Sequence, residues 1–133
     1  MIDYGCTRAP YYDPDPACPD GQGFHHGIDV AMPCGTPLFS AVQGVVLDPQ
    51  SSGRPGPAYG ARPFRIRSGA LDILVGHARL VLRDPGDRVR VGQRIALASD
   101  SGAADGCHLH FEVRRRGGGV SSAVDPTGLL QLG

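Results

Sequence analysis

The chain has 133 residues, enough for one domain whose core is stable without a partner. Its 13 basic and 13 acidic side chains cancel, so no global field draws it to nucleic acid or an anionic membrane. All the basic residues are Arg, and 20 Gly and 12 Pro stand beside few Glu, Lys or Gln; the residues that fill exposed helix faces are missing, so strands and loops are expected.

The opening stretch "MIDYGCTRAPYYDPDPACPDGQG" has no basic region followed by an apolar one, and no later run approaches the roughly 18 apolar residues of a membrane span. No membrane insertion is expected. Gly, Pro, Asp and Tyr without periodicity predict an ordered loop over residues 1–23, neither helix nor strand. The four cysteines, Cys6, Cys18, Cys34 and Cys107, lack the C-x-x-C spacing of a structural zinc knuckle and predict an extracytoplasmic framework of two disulfides. Three connectivities are open. Joining Cys6 to Cys18 would staple the opening loop and leave Cys34 with Cys107. Oxidised cysteines without an export signal suggest a domain of a longer exported protein, or a phage-borne protein released by other means.

The regular fold is expected from Phe24 onward, as one domain over residues 24–133 with the stapled segment 1–23 packed on it. The runs "TPLFSAVQGVVLD", "PFRIRSG", "LDILVGHARL", "DRVRVGQRIALAS" and "CHLHFEVRR" are short, β-rich and punctuated by Gly, Pro and Asp turns. They predict a meandering antiparallel sheet. Residues 51–63, rich in Gly, Pro and Ser, predict a surface loop. In "SAVDPTGLLQLG", Asp125 offers a cap and Pro126 a first helical residue for one short turn. No internal repeat or second domain is visible.

Residues two apart on a strand share a face, so in "GCHLHFEVR" His108 and His110 point one way while Leu109, Phe111 and Val113 point into the core. By itself an H-x-H pair is weak, because most histidines are hydrogen-bonded surface or core residues. In "FHHGIDV", His25 and Asp29 stand four apart and share a face whether the segment is extended or helical. Gly27, Ile28 and Val30 favour the extended form, in which His26 points away as a bystander. A catalytic zinc site takes three protein ligands and leaves a position for water. His25, Asp29 and one of His108 and His110 supply that number. His77, in "LVGHARL", ends an apolar strand where a side chain can reach a groove.

With these motifs assembled, the chain resembles the lysostaphin-type, LytM-like zinc metalloendopeptidases that cut peptides of bacterial peptidoglycan. The resemblance runs from about Phe24 to Leu130. The family's H-x-x-x-D motif stands as "HHGID", its G-H motif as "VGH" and its H-x-H motif as "HLHFEV", in the same order. "AMPCGTPLFSAVQGVV", "GDRVRVGQRIALASDSG" and "VDPTGLL" also resemble its flanking segments. The resemblance implies an all-β, mostly antiparallel fold of the duplicated-hybrid-motif type, with an open groove, long loops and little helix. It also implies one Zn2+ per chain, bound by His25, Asp29 and His110, with His77 and His108 as an unliganded catalytic pair. A peptidoglycan peptide is the implied substrate, and a monomer or part of a longer chain the implied state.

Zinc fits those residues chemically, because it polarises a carbonyl and lowers the pKa of bound water to about 7. His108 is placed to take a proton, and His77 to hydrogen-bond an oxyanion or protonate a leaving amine. The chain departs from the family at Val75, where many relatives have an aromatic residue, at Ala78, where Leu is usual, and at Cys107, where Pro is common. These changes bear on the groove wall and on which bond is cut.

The alternatives are a non-catalytic wall-binding or hydrolase-activating domain, another zinc wall enzyme, and a thiol peptidase using Cys107. Non-catalytic relatives have typically lost ligands, and the other zinc wall enzymes end their motif in Trp-His, while this chain has no Trp. An even cysteine count opposes the thiol peptidase. "RRRGGG", residues 114–119, is read as a solvated strand end. Tyr59 either lines the groove or packs a turn, and a turn and a cap account for Asp105 and Asp125 as simply as pairing with a histidine does.

Overall fold

The computed structural model describes residues 2–9, 12–51, 64–81, 83–99 and 107–129. Most of the loop expected over residues 51–63, Tyr59 with it, and Asp105 lie outside the described residues. Strand pairing is antiparallel throughout the described residues. Helix is confined there to two 3-10 turns, Val120–Ser122 and Thr127–Leu129. No described helix is long and apolar enough to cross a membrane.

The strands in chain order are β1 (Gly5–Thr7), β2 (Gly23–His25), β3 (Ile28–Ala31), β4 (Pro37–Phe39), β5 (Gly44–Val46) and β6 (Phe64–Ser68). They continue as β7 (Leu71–Gly76), β8 (Ala78–Val81), β9 (Arg88–Val89), β10 (Arg94–Ala98), β11 (His108–Arg115) and β12 (Ala123–Val124). A large sheet has the order β12-β11-β7-β6-β5-β9, with β3 beside the first half of β11. A second sheet has the order β4-β10-β8, and β1 pairs with β2 in a two-stranded ribbon.

The expected meander holds for β5, β6 and β7 and then breaks. At His77 the chain leaves the large sheet for β8 of the second one, crosses back for β9 beside β5, runs β10 in the second sheet, and returns as β11 against β7. His77 has φ 61°, a left-handed conformation that costs a non-Gly residue about 1–3 kcal/mol and persists only where its surroundings impose it. Here the surroundings are Ser99, whose backbone N and Oγ both donate to the His77 carbonyl, at 2.9 and 2.7 Å.

Alternation along β11 divides the large sheet into two chemically distinct faces. Leu109, Phe111 and Val113 join Ile73, Val75, Phe64, Ile66 and Val46 in a buried apolar cluster, completed by Leu38, Ile95, Ala96 and Ala98 of the second sheet. The core therefore lies between the sheets. On the opposite face His110, Glu112 and Arg114 of β11, Asp72 of β7 and Arg65 of β6 are also buried. This corrects the expectation that the Arg run is a solvated strand end. Arg115 and Arg116 are exposed, but Arg114 shares the face of His110 and pairs with Glu112.

Two further expectations meet the structure here. Residues 1–23 include a strand, β1, too short to show periodicity; it forms because Cys6 lies opposite Phe24 across the ribbon. The closing turn begins at Thr127, not Pro126, and Asp125 Oδ1 accepts from Thr127 N at 3.0 Å. Disulfides join Cys6 to Cys18 and Cys34 to Cys107. With Cys107 in a disulfide, the thiol peptidase is excluded.

Candidate metal centre

His25 closes β2 and Asp29 lies in β3, so the segment is extended but broken at residues 26–27. The break turns the backbone hard against β11. A Cβ added to Gly27 would lie 2.5 Å from the Phe111 carbonyl oxygen and 2.9 Å from His110 Cε1, so only glycine passes there. Pairing of β3 with β11 then sets Asp29 opposite His110 and Ala31 opposite His108. Directly opposed residues on neighbouring strands share a face, which brings the carboxylate to the imidazole.

Asp29 Oδ1 lies 2.7 Å from His110 Nδ1, 3.4 Å from His25 Nε2 and 4.0 Å from His108 Nε2. His25, Asp29 and His110 each offer a ligand atom, all within 4.8 Å of one another. The ring of His77 stands 4.4 Å from that of His108 and 6.3 Å from that of His110. Four of the five histidines thus meet at one place. His26 does not; its ring packs on Phe24 at 4.9 Å.

Protonation here is set by what each ring nitrogen faces. Burial would raise the Asp29 pKa, but the hydrogen bond from His110 and the nearness of the His25 imidazole outweigh it and hold the carboxyl far below its usual range. Burial would lower the His110 pKa, yet hydrogen bonds to Asp29 and Glu112 raise it to about 9. His25 Nδ1 is 3.0 Å from the Asp3 carbonyl oxygen. A carbonyl only accepts, so Nδ1 carries the hydrogen and the lone pair of neutral His25 is on Nε2. That Nε2 is buried, makes no hydrogen bond and faces a carboxylate oxygen. A lone pair and a carboxylate in a dry site are stable together only with a cation between them. Two imidazoles and one carboxylate are a donor set that suits zinc.

Comparison with known protein families matches residues 23–126 to Peptidase family M23. The chain belongs to that family. It is 34% identical over 99 residues to the peptidoglycan DD-endopeptidase ShyA of Vibrio cholerae, covering 74% of this chain and 22% of that protein. It is 36% identical over 90 residues to an uncharacterized metalloprotease of Buchnera aphidicola, covering 67% of this chain and 23% of that protein. The chain spans about a quarter or less of the length of these relatives. Among solved structures, LytU superposes with a TM-score of 0.75 at 27% identity, covering 96% of this chain and 81% of that one. The catalytic domain of lysostaphin from Staphylococcus simulans gives 0.70 at 25% identity, covering 94% and 90%. A zinc-containing peptidase from Vibrio cholerae gives 0.67 at 30%, covering 100% and 36%.

Three residues of this M23 domain that the motifs did not single out also bear on the site. Tyr12 donates to Asp29 Oδ2 at 3.2 Å and packs its ring 5.0 Å from that of His25. Nothing in the local sequence marks it, since it reaches Asp29 only through the folding of the opening segment. Ser99 holds His77 and, through its carbonyl, accepts from His108 N at 3.4 Å. Glu112 Oε1 lies 2.9 Å from His110 Nε2. Glu112 was legible by alternation, because it shares the face of His108 and His110.

Proposed function

We propose that this M23 domain is a zinc-dependent endopeptidase that hydrolyses cross-links or stem peptides of bacterial peptidoglycan outside the cytoplasm. The observation that carries the proposal is the buried, unpartnered Nε2 of His25 facing Asp29, with His110 on the other side of the same carboxylate. His25, Asp29 and His110 would hold one zinc ion. The domain comprises residues 24–133, with residues 1–23 as a stapled segment packed on it. The likeness to ShyA, described as a peptidoglycan DD-endopeptidase, supports the substrate class.

Zinc bound there would polarise the scissile carbonyl and make water nucleophilic at neutral pH. His77 and His108 are the remaining imidazoles of the cluster, and an imidazole takes a proton in its neutral form and gives one in its protonated form. His108 is only 13% exposed in its side chain and lies 4.0 Å from Asp29 Oδ1, where it accepts a proton from the attacking water. His77 is held rigidly by Ser99 beside it and hydrogen-bonds the carbonyl oxygen as charge develops, or delivers a proton to the leaving amine.

The test is mass spectrometry of fragments released from purified peptidoglycan of several cross-link types, using zinc-loaded protein, chelator-stripped protein and His110→Ala. New peptide termini that require both zinc and His110 are expected, and they identify the bond cut. Zinc and wall binding with no release from any cross-link type would replace this proposal with a binding or activator role.

A further inference from the structure

We infer that Glu112 is a positioning residue for the metal centre, fixing which nitrogen of His110 is offered to the ion. The inference rests on the zinc reading of His25, Asp29 and His110.

Glu112 is the only glutamate in the chain, and its exposure is 0%. A buried carboxylate is costly unless paired, and an apolar residue would fill the same sheet position without that cost. Its two oxygens are used differently. Oε2 accepts from Arg114 Nε, and Arg114 is itself 4% exposed. Oε1 faces His110 Nε2 at 2.9 Å. Paired with a guanidinium, Glu112 stays ionised and can only accept. His110 must therefore carry a hydrogen on Nε2, which leaves Nδ1, donating here to Asp29 Oδ1 at 2.7 Å, as the nitrogen whose proton a metal ion would replace.

The strand geometry places these three groups in one row. His110, Glu112 and Arg114 are alternate residues of β11 and lie on one face, so the row histidine, carboxylate, guanidinium is built into a single strand. The Glu112 and Arg114 charges cancel, so the row orients His110 without adding net charge. His25 solves the same problem with a backbone acceptor, the Asp3 carbonyl. A carboxylate on the far nitrogen also makes an imidazole more basic and a better ligand, which a neutral carbonyl does less well.

The experiment compares wild type with Glu112→Gln, which keeps the shape but removes the charge and leaves one acceptor oxygen where Arg114 Nε and His110 Nε2 each use one, so the amide NH2 faces one of them. Zinc affinity is read by competition with a fluorescent chelator, and the His110 tautomer by long-range 1H–15N spectra of the zinc-loaded protein. Melting of the metal-free proteins establishes the folded fraction. Zinc binding weakened about 10–100-fold, with His110 no longer held in the Nε2–H form, is expected. A folded Glu112→Gln protein that binds zinc within about threefold of wild type and keeps the tautomer overturns the inference. Wild type that binds no zinc overturns the zinc reading itself. If Glu112→Gln does not fold, Glu112→Asp carries the same test, because it keeps the charge and withdraws it by one methylene.

Discussion

The imidazoles of His77 and His108 face each other at 4.4 Å, and one residue, Ser99, ties both to the same point of the fold. His77 ends its run in the large sheet, His108 begins β11, and Ser99 follows β10 of the second sheet. The pair thus stands where the two sheets meet. Ser99→Ala leaves the backbone bonds and removes the Oγ hydrogen bond that holds His77 at φ 61°. A buried hydrogen bond is worth about 1 kcal/mol, close to the 1.4 kcal/mol of a tenfold rate change. Peptidoglycan cleavage by this variant should fall about fivefold in kcat, with KM and zinc affinity nearly unchanged. An equal loss of zinc affinity would mean that Ser99 acts on the metal centre instead.

Among the four clustered histidines, metal binding and proton transfer should separate by substitution. His25→Ala and His110→Ala each remove a proposed ligand and should abolish both tight zinc binding and cleavage. His77→Ala and His108→Ala leave the trio of His25, Asp29 and His110 intact. They should keep zinc and lose about 10²–10⁴ in kcat, the usual worth of a positioned acid or base. Zinc content by elemental analysis beside cleavage rate distinguishes the two groups. Loss of zinc from His108→Ala would make His108 a ligand and require reassignment of the trio.

Alternation along "CHLHFEVRR" was enough to predict the apolar side of β11, because Leu109, Phe111 and Val113 obey the period of a strand and all three enter the core. The same alternation placed His108 and His110 together, and β3 confirmed it by setting Asp29 opposite His110. It did not predict that the polar face is also buried, since burial depends on what packs over a strand and not on the strand's own pattern. Arg114 was misjudged for that reason. The switch of sheets at His77 was equally hidden: the sequence ends an apolar strand there, but the left-handed φ and the Ser99 bonds, both tertiary, are what send the next residues into the other sheet. Tyr12 reaches Asp29 from a segment without periodicity, where no local signal exists.

Away from the metal centre, the polar face of the large sheet should make the fold acid-sensitive through Asp72. Arg67 Nε and Nη2 donate to its two oxygens at 2.8 and 2.9 Å, and Gly117 N donates at 2.8 Å. Burial alone would raise the Asp72 pKa, but these bonds lower it below the usual value. A carboxyl whose folded pKa is depressed contributes stability that is complete above its unfolded value, about 3.9, and is lost as pH falls through the folded value. Asp72→Asn should therefore be less stable than wild type by about 1–3 kcal/mol at neutral pH. The gap should close as pH falls below the unfolded value and through the depressed folded one. Chemical denaturation of both proteins across that range is the measurement. A gap that does not change with pH would show that shape and not charge is what Asp72 contributes.

Gly27 offers a test of how the sheet builds the metal centre. Its missing side chain lets residues 26–27 pass against β11, and a Cβ there would meet the Phe111 carbonyl oxygen at 2.5 Å. That atom belongs to a strand paired on both sides, with β3 and with β7, so it cannot yield as a flexible side-chain tip would. In Gly27→Ala β3 must therefore shift away from β11, at a cost of about 1–3 kcal/mol for overpacking. The shift separates Asp29 from His110, which face each other only through the pairing of those strands. Melting temperature and zinc affinity should fall together in this variant. Gly119→Ala is the control, because a Cβ there meets nothing within 4 Å and its φ of -86° suits any residue. It should leave both quantities near wild type. A Gly27→Ala protein that loses stability yet binds zinc normally would mean that the ligands keep their positions without the β3–β11 register.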